Sequence, residues 1–135
     1  MKYLLDTCIV SAIAKHSPHL AGRLLRTRPL ELAIASITHL EIEYGLMINA
    51  DAERKVGKAL REFCNSVEIL AFDRDCADQA AAVRAALKRQ GRPIGAFDLL
   101  IGATALRNKY VMVTANTREF ERIDGLIVED WTVAG

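Results

Sequence analysis

The stretch that decides the fold is "MKYLLDTCIV", residues 1–10. Tyr3, Leu4 and Leu5 form a short apolar β-type run, and an ionisable Asp6 follows at once. Thr7, Cys8, Ile9 and Val10 then resume apolar character. An Asp at the tip of a buried strand has two readings. It can cap the helix that follows, as Asp readily does. It can also be one half of a metal site whose other half lies far along the chain.

Outward from that stretch, similar short runs recur at Leu32 to Ala35, Val67 to Ala71, Val111 to Thr114 and Leu126 to Val128. Helical periodicity fills the intervals. Pro18 opens a helix to about Arg28 with Ser17 as its cap. Thr38 caps a helix through Asn49, with Glu41 completing a T-x-x-E box. Three more helices are expected over residues 51–66, 74–90 and 96–109, the second of them ending near Gly91. Strands alternating with helices, and apolar on both faces, imply an α/β fold with a parallel sheet covered on each side. In such sheets ligands bind beyond the carboxyl ends of the strands, where strand order switches. Asp6 occupies such an end.

The 135 residues suit one domain with a single well-buried core. A 51% apolar and 26% charged composition is ordinary for a globular protein. No apolar run approaches the roughly 20 residues of a membrane span, and the N-terminus lacks signal-peptide character. Cys8, Cys64 and Cys76 are odd in number and widely spaced, which argues for a reduced, cytoplasmic protein without a disulfide framework or zinc ribbon. His16, His19 and His39 are scattered and suggest no zinc site. The net charge of +1 makes no global commitment to nucleic acid. "RAALKRQGR", residues 84–92, is locally basic, with Arg84, Lys88, Arg89 and Arg92 and no acid. Such a run is either a solvated helix face or a set of phosphate contacts.

Polar groups stand out in three further apolar segments. Glu41 sits in "ASITHLEIEYG", Asp98 in "GAFDLLIGATAL", and Asn116 and Glu119 in "VMVTANTREF". Taken singly, Glu41 and Asp98 suit the first turn of a helix, where the macrodipole favours an acid by about 0.3–1 kcal/mol. Glu43, about 200° around the helix from Glu41, is expected to be solvated. Asp98 is harder to dismiss, because a helix apolar nearly all round would bury it without a local partner. Several acids at one sheet end repel one another, and a divalent cation with oxygen ligands resolves the conflict. Mg²⁺ suits that role, and Mn²⁺ should substitute for it.

These segments together resemble the PIN-domain ribonucleases, specifically the VapC toxins of bacterial VapBC toxin–antitoxin modules. The resemblance rests on "YLLDTCIV", "SITHLEIEYG", "GRPIGAFDLLIGATA" and "VTANTREFERIDGLIVEDW", in order and nearly end to end. It implies a single PIN domain over residues 1–135, a three-layer α/β/α sandwich around a mainly parallel sheet. It further implies an Mg²⁺- or Mn²⁺-dependent endoribonuclease acting on single-stranded or loop RNA, with the anticodon loop of initiator tRNA favoured. The family's acids fall on Asp6 and Asp98 as metal ligands and on Glu41 as a ligand or water-mediated contact. Glu119 is the candidate fourth carboxylate, Asn116 a neutral supporting ligand, and Thr114 and Ser36 supporting hydroxyls. Arg84, Lys88, Arg89 and Arg92 become candidate RNA contacts.

Implied partners are a homodimer mate and an inhibitory VapB antitoxin, joined in a hetero-oligomer. Leu20, Leu24, Leu46, Met47 and Ile48 are either contact surface for them or simply core, and core is preferred for most. Two positions depart from the family: Cys8 replaces its usual Asn, and Gly102 its common Ala. A thiol is a poor hydrogen-bonding substitute, and Gly102 weakens a helix unless a neighbour packs closely on it. Cys8, together with an Asn rather than an Asp at position 116, leaves one alternative open, an inactive PIN-like module that binds RNA or a protein partner without cutting.

Overall fold

The computed structural model describes residues 1–15 and 17–133. His16, considered above for zinc, lies outside them. Five strands, β1 (Tyr3–Leu5), β2 (Leu32–Ala35), β3 (Glu68–Leu70), β4 (Val111–Val113) and β5 (Val128–Glu129), form one sheet in the order β3-β2-β1-β4-β5. All four pairings are parallel. The strand order therefore reverses beside β1, between β1 and β4. That is the switch point at which parallel sheets bind ligands.

The inner strands explain the two layers. Successive side chains of a strand point to opposite faces, and here both faces are buried. Leu5, Leu32, Ile34 and Val113 join one core with Ile9, Val10, Leu20, Ile42, Leu46 and Leu60. Leu4, Ala33, Ala35 and Met112 join the other with Val83, Leu87, Leu99, Ile101, Phe120 and Ile123. The first core is covered by α1 (Thr7–Ile13), α2 (Pro18–Leu25), α3 (Ser36–Met47) and the segment from α4 (Ala50–Ala52) through a π-helical turn into α5 (Lys58–Ser66). The second is covered by α6 (Arg74–Arg89), α7 (Ala96–Asn108) and the single turn α8 (Thr117–Phe120). The three-layer α/β/α sandwich expected from the sequence is present.

Several local expectations need correction. The edge strand β3 is not apolar on both faces: Glu68 and Ile69 are exposed. The Thr38–Glu41 capping box does not form, because α3 begins earlier, at Ser36. Thr38 is consequently buried inside the helix, and Glu41 lies in the second turn, beyond the favourable end of the macrodipole. Glu43 is not solvated but paired with Arg61 at 3.1 Å. Ser17 sits at the N-cap of α2 without a side-chain cap bond, and that helix ends at Leu25. Leu20 and Leu46 are core, whereas Met47 and Ile48 are largely exposed.

Gly102 has a packing reason. A Cβ there would lie 2.6 Å from Ile123 Cδ1 and 3.4 Å from the Phe120 ring. The missing side chain lets the segment after α8 press onto α7.

Candidate active site

Asp6 is both of the things its sequence context allowed. It is the N-cap of α1, its Oδ1 accepting the Thr7 N–H at 2.8 Å. It is also only 5% exposed. Its backbone N–H continues the β1–β4 pairing by donating to the Val113 carbonyl at 2.9 Å, which locks it to the switch point. Its second oxygen accepts the Thr114 hydroxyl at 2.8 Å, and Thr114 in turn accepts the Asn116 N–H at 2.9 Å. Both carboxylate oxygens are thus held by neutral donors.

Cys8 adds a third contact, its thiol donating to Asp6 Oδ2 at 3.4 Å and lying 3.8 Å from the Thr114 hydroxyl. Burial, the largest cause, pushes this thiol's pKa up, so it stays protonated and serves as a weak donor. The residue as a whole is exposed, with its sulfur against Asp6 and Thr114.

Glu41 reaches the same pocket from α3. Thr7 donates its hydroxyl to Glu41 Oε1 at 2.6 Å and stands 3.3 Å from the Thr38 hydroxyl. Thr7, Thr38 and the Asp6 cap therefore bind the start of α1 to α3. Sequence reading passed over Thr7, and its only signal was adjacency to Asp6.

Asp98 enters from the first turn of α7, half-buried rather than fully enclosed. Glu119 comes from α8, and the two carboxyl groups share a hydrogen bond. Desolvation pushes the Asp98 pKa up to about 7, reinforced by that bond to Glu119 and by the negative charge of Asp6, Glu119 and Glu41. Glu119 moves the other way, chiefly because it accepts the Gly95 N–H, at 2.6 Å from Oε1. Its Oε2 accepts the Asn116 side-chain amide at 2.6 Å. A side-chain carbon at Gly95 would lie 3.6 Å from Glu119 Oε1 and 3.7 Å from Asp98 Oδ2, so both acids crowd one stretch of backbone. Gly95 is the second residue that sequence reading missed, because a backbone donor leaves no trace in residue type.

The structure thus gathers Asp6, Glu41, Asp98, Glu119, Asn116 and Thr114 at one sheet end. Ser36 lies at that end too, but its hydroxyl accepts the Phe72 N–H at 3.1 Å and ties down the loop after β3. Arg84, Lys88, Arg89 and Arg92 are all exposed, and Arg84 and Lys88 line one cleft.

The donor set around this pocket is all oxygen, which suits a hard divalent cation. The fit requires one change. Among the described residues, no three acid, thiol or imidazole groups converge closely enough to cage an ion as they stand.

A parallel sheet that gathers four acids at its switch point, Asp6 buried among them, is an α/β fold with an oxygen-ligand site where such sheets bind their ligands. Residues 3–126 match the PIN domain family, and the chain belongs to that family. Over 132 residues it is 35% identical to a protein of Shigella flexneri named tRNA(fMet)-specific endonuclease VapC, covering 98% of this chain and 99% of that one. It is 37% identical to Ribonuclease VapC2 of Rickettsia felis, over 97% of this chain and 98% of that protein. The crystal structure of DNA-bound VapBC from Salmonella typhimurium superimposes with a TM-score of 0.88 at 35% identity, covering 97% and 98% of the two chains. Within the PIN-domain family the chain stands in the VapC ribonuclease branch. Among the described residues, no helix is long and apolar enough to cross a membrane.

Proposed function

We propose that this chain is the toxin of a type II toxin–antitoxin pair, a cytoplasmic, single-domain endoribonuclease that uses Mg²⁺, or Mn²⁺ in its place, to hydrolyse single-stranded or loop RNA. The carrying observation is the convergence of four carboxylates at the switch point, none of them hydrogen-bonded to a cationic side chain among the described residues. Asp6 and Asp98 would hold the ion, with Glu41 joining directly or through water and Glu119 completing the set. A divalent ion bound there would offset phosphate charge and make a bound water acidic enough to react near neutral pH.

The protein's own groups supply the rest. Thr114 and Cys8 fix the Asp6 carboxylate, while Thr7 aims Glu41 as acceptor of the attacking water's proton. Gly95 and Asn116 hold Glu119 ionised beside Asp98, which favours the protonated form of Asp98 until a bound divalent cation would displace that proton. Water adds to phosphorus, the P–O3′ bond breaks and the departing 3′ oxygen takes a proton. The products are a 5′-phosphate and a 3′-hydroxyl.

The name of the Shigella relative supports tRNA as substrate, and we favour the anticodon loop of initiator tRNA. The VapBC complex supports a VapB antitoxin as partner. The exposed Leu40, Tyr44, Met47 and Ile48, one to two turns apart along α3 and its C-cap, offer an apolar surface for a homodimer or for that antitoxin.

The test maps cleavage sites in total RNA with purified protein in Mg²⁺ or Mn²⁺, wild type against Asp6→Asn. Asn preserves the helix cap, so the variant should stay folded and lose cleavage by at least about a hundredfold. Equal cleavage by the variant, or no cleavage by the wild type with either ion, would overturn the assignment.

A further inference from the structure

Beside the acidic pocket, and separate from it, α6 and α7 enclose a cleft of about 500 Å³. Leu87, Pro93, Ile94, Ala96, Leu99 and Leu100 line it together with the exposed Arg84 and Lys88. The connection between the two helices brings the last turns of α6 alongside the first turns of α7. The cleft consequently opens at the end of α7 that carries Asp98. The Pro93–Ala96 segment forms its wall, and the same segment supplies the Gly95 N–H that holds Glu119. The cleft and the acids therefore share one piece of backbone.

Its chemistry is one-sided. No acid lines it, and neither Arg84 nor Lys88 takes part in any ion pair found among the described residues. Four residues apart on α6, the two cations share a helix face. An apolar slot of this size with two convergent charged groups suits a planar, anionic ligand. No aromatic lines the cleft itself, but one follows the lining residue Ala96 in the chain. Phe97, adjacent to Asp98 and three residues before Leu100, is 45% exposed.

We propose that this cleft is a nucleotide subsite. It takes an unstacked base of the RNA next to the cleaved linkage, laid against Pro93, Ile94 and Leu100, while Arg84 and Lys88 hold the flanking phosphates. Base stacking on apolar and aromatic side chains tolerates many sequences, and cationic grips track the backbone. This assignment rests on the ribonuclease reading above and adds where the strand lies and what anchors it. Arg89 and Arg92 do not line the cleft and contribute less.

Two measurements test it. The first compares cleavage of an RNA loop by wild type, Arg84→Ala with Lys88→Ala, and Leu100→Glu. Hydrolysis of bis(p-nitrophenyl) phosphate, a phosphodiester without a base, runs in parallel. Each variant should raise KM for RNA by about tenfold, with kcat and hydrolysis of the small diester within about twofold of wild type and an unchanged Tm. The second is photocrosslinking of 4-thiouridine RNA, which should label the peptide covering residues 84–100.

An unchanged KM in folded variants, or crosslinks confined to other segments, overturns the subsite while leaving the ribonuclease reading intact. A wild type that cleaves no RNA defeats the ribonuclease reading itself. If RNA binding survives in the variants but tight binding of the purified antitoxin is lost, the cleft belongs to a protein partner and the proposal fails.

Discussion

Glu41 and Glu43 lie two residues apart on one helix and have opposite surroundings. Glu43 is answered by Arg61, whose guanidinium bonds it at 3.1 and 3.3 Å and reaches Glu53 at 2.5 Å. Those two carboxylates, Glu53 above all, raise the Arg61 pKa, as expected when opposite charges meet. Among the described residues, Glu41 accepts a hydrogen bond from the Thr7 hydroxyl alone, and its charge acts on Asp98. On one side of α3 acids and a base neutralise each other and brace helices. At the sheet end, three of the four acids are held by hydroxyls, an amide and two backbone N–H groups, and among the described residues none of the four is in an ion pair. A carboxylate acquires chemical potential when the fold denies it a cation, and one helix here contains both cases.

The sharpest way to break that comparison is to neutralise each acid in turn. Glu41→Gln should cost RNA cleavage by about a hundredfold, with Tm unchanged or raised. Glu43→Gln should leave cleavage within about twofold and lower Tm. Initial rates and thermal melts on the two proteins decide the matter, and equal loss of activity in both would erase the distinction. Arg61→Ala probes the matched side alone. It should lower Tm by more than Glu43→Gln, because it strands two carboxylates whereas Glu43→Gln leaves Arg61 paired with Glu53, and cleavage should persist.

The unmatched side has a pH signature. The folded protein holds the Asp98 proton up to about pH 7, whereas the unfolded chain releases it near the ordinary Asp value. Between those limits the native state binds more protons, so this group's contribution makes stability fall as pH rises from about 4 to about 7. Metal-free protein should therefore melt higher at pH 5 than at pH 8 by an amount that disappears in Asp98→Asn. Divalent binding should release a proton below pH 7 and tighten as pH rises. Melts across pH with and without Mn²⁺ test both statements, and an identical slope in Asp98→Asn would assign the effect elsewhere.

The smallest effect is expected at Gly102. Alanine gains up to about 1 kcal/mol of helix propensity, but its Cβ meets Ile123 Cδ1, the movable end of a side chain. The two should nearly cancel, leaving stability within about 1 kcal/mol of wild type. Gly102→Ala with Ile123→Val should be more stable than Gly102→Ala alone, as chemical melts would show. A large loss in the single variant would mean that the segment bearing Glu119 cannot yield.

Much of this architecture was legible in residue order. β1 and β2 fall where their apolar runs place them, and the helices over residues 74–89 and 96–108 differ by about a residue from their periodicity. These elements are buried on both faces or flanked by clear stops, so local pattern and tertiary environment agree. Reading failed where they differ. Thr38 resembles a cap, yet a hydroxyl from residue 7 awaited it inside the helix. Met47 and Ile48 look like core and are not, because α3 is apolar beyond the one face a monomer can bury.

By itself the sequence determined that strands and helices alternate, and that Asp6, Glu41, Asp98 and Glu119 interrupt apolar surroundings. Those facts depend only on side-chain polarity and on the periods of 2 and 3.6 that strands and helices impose. Only the tertiary structure decided that Glu41 is unmatched while Glu43 is paired, that Asp98 keeps a proton against Glu119, and that Cys8 still reaches Asp6. The first two depend on contacts across 18 to 34 residues of chain or on the dielectric around a carboxyl group, which strand order and not local pattern sets. Cys8 is only two residues from Asp6, but the carboxylate it meets is fixed by Thr114, 108 residues away.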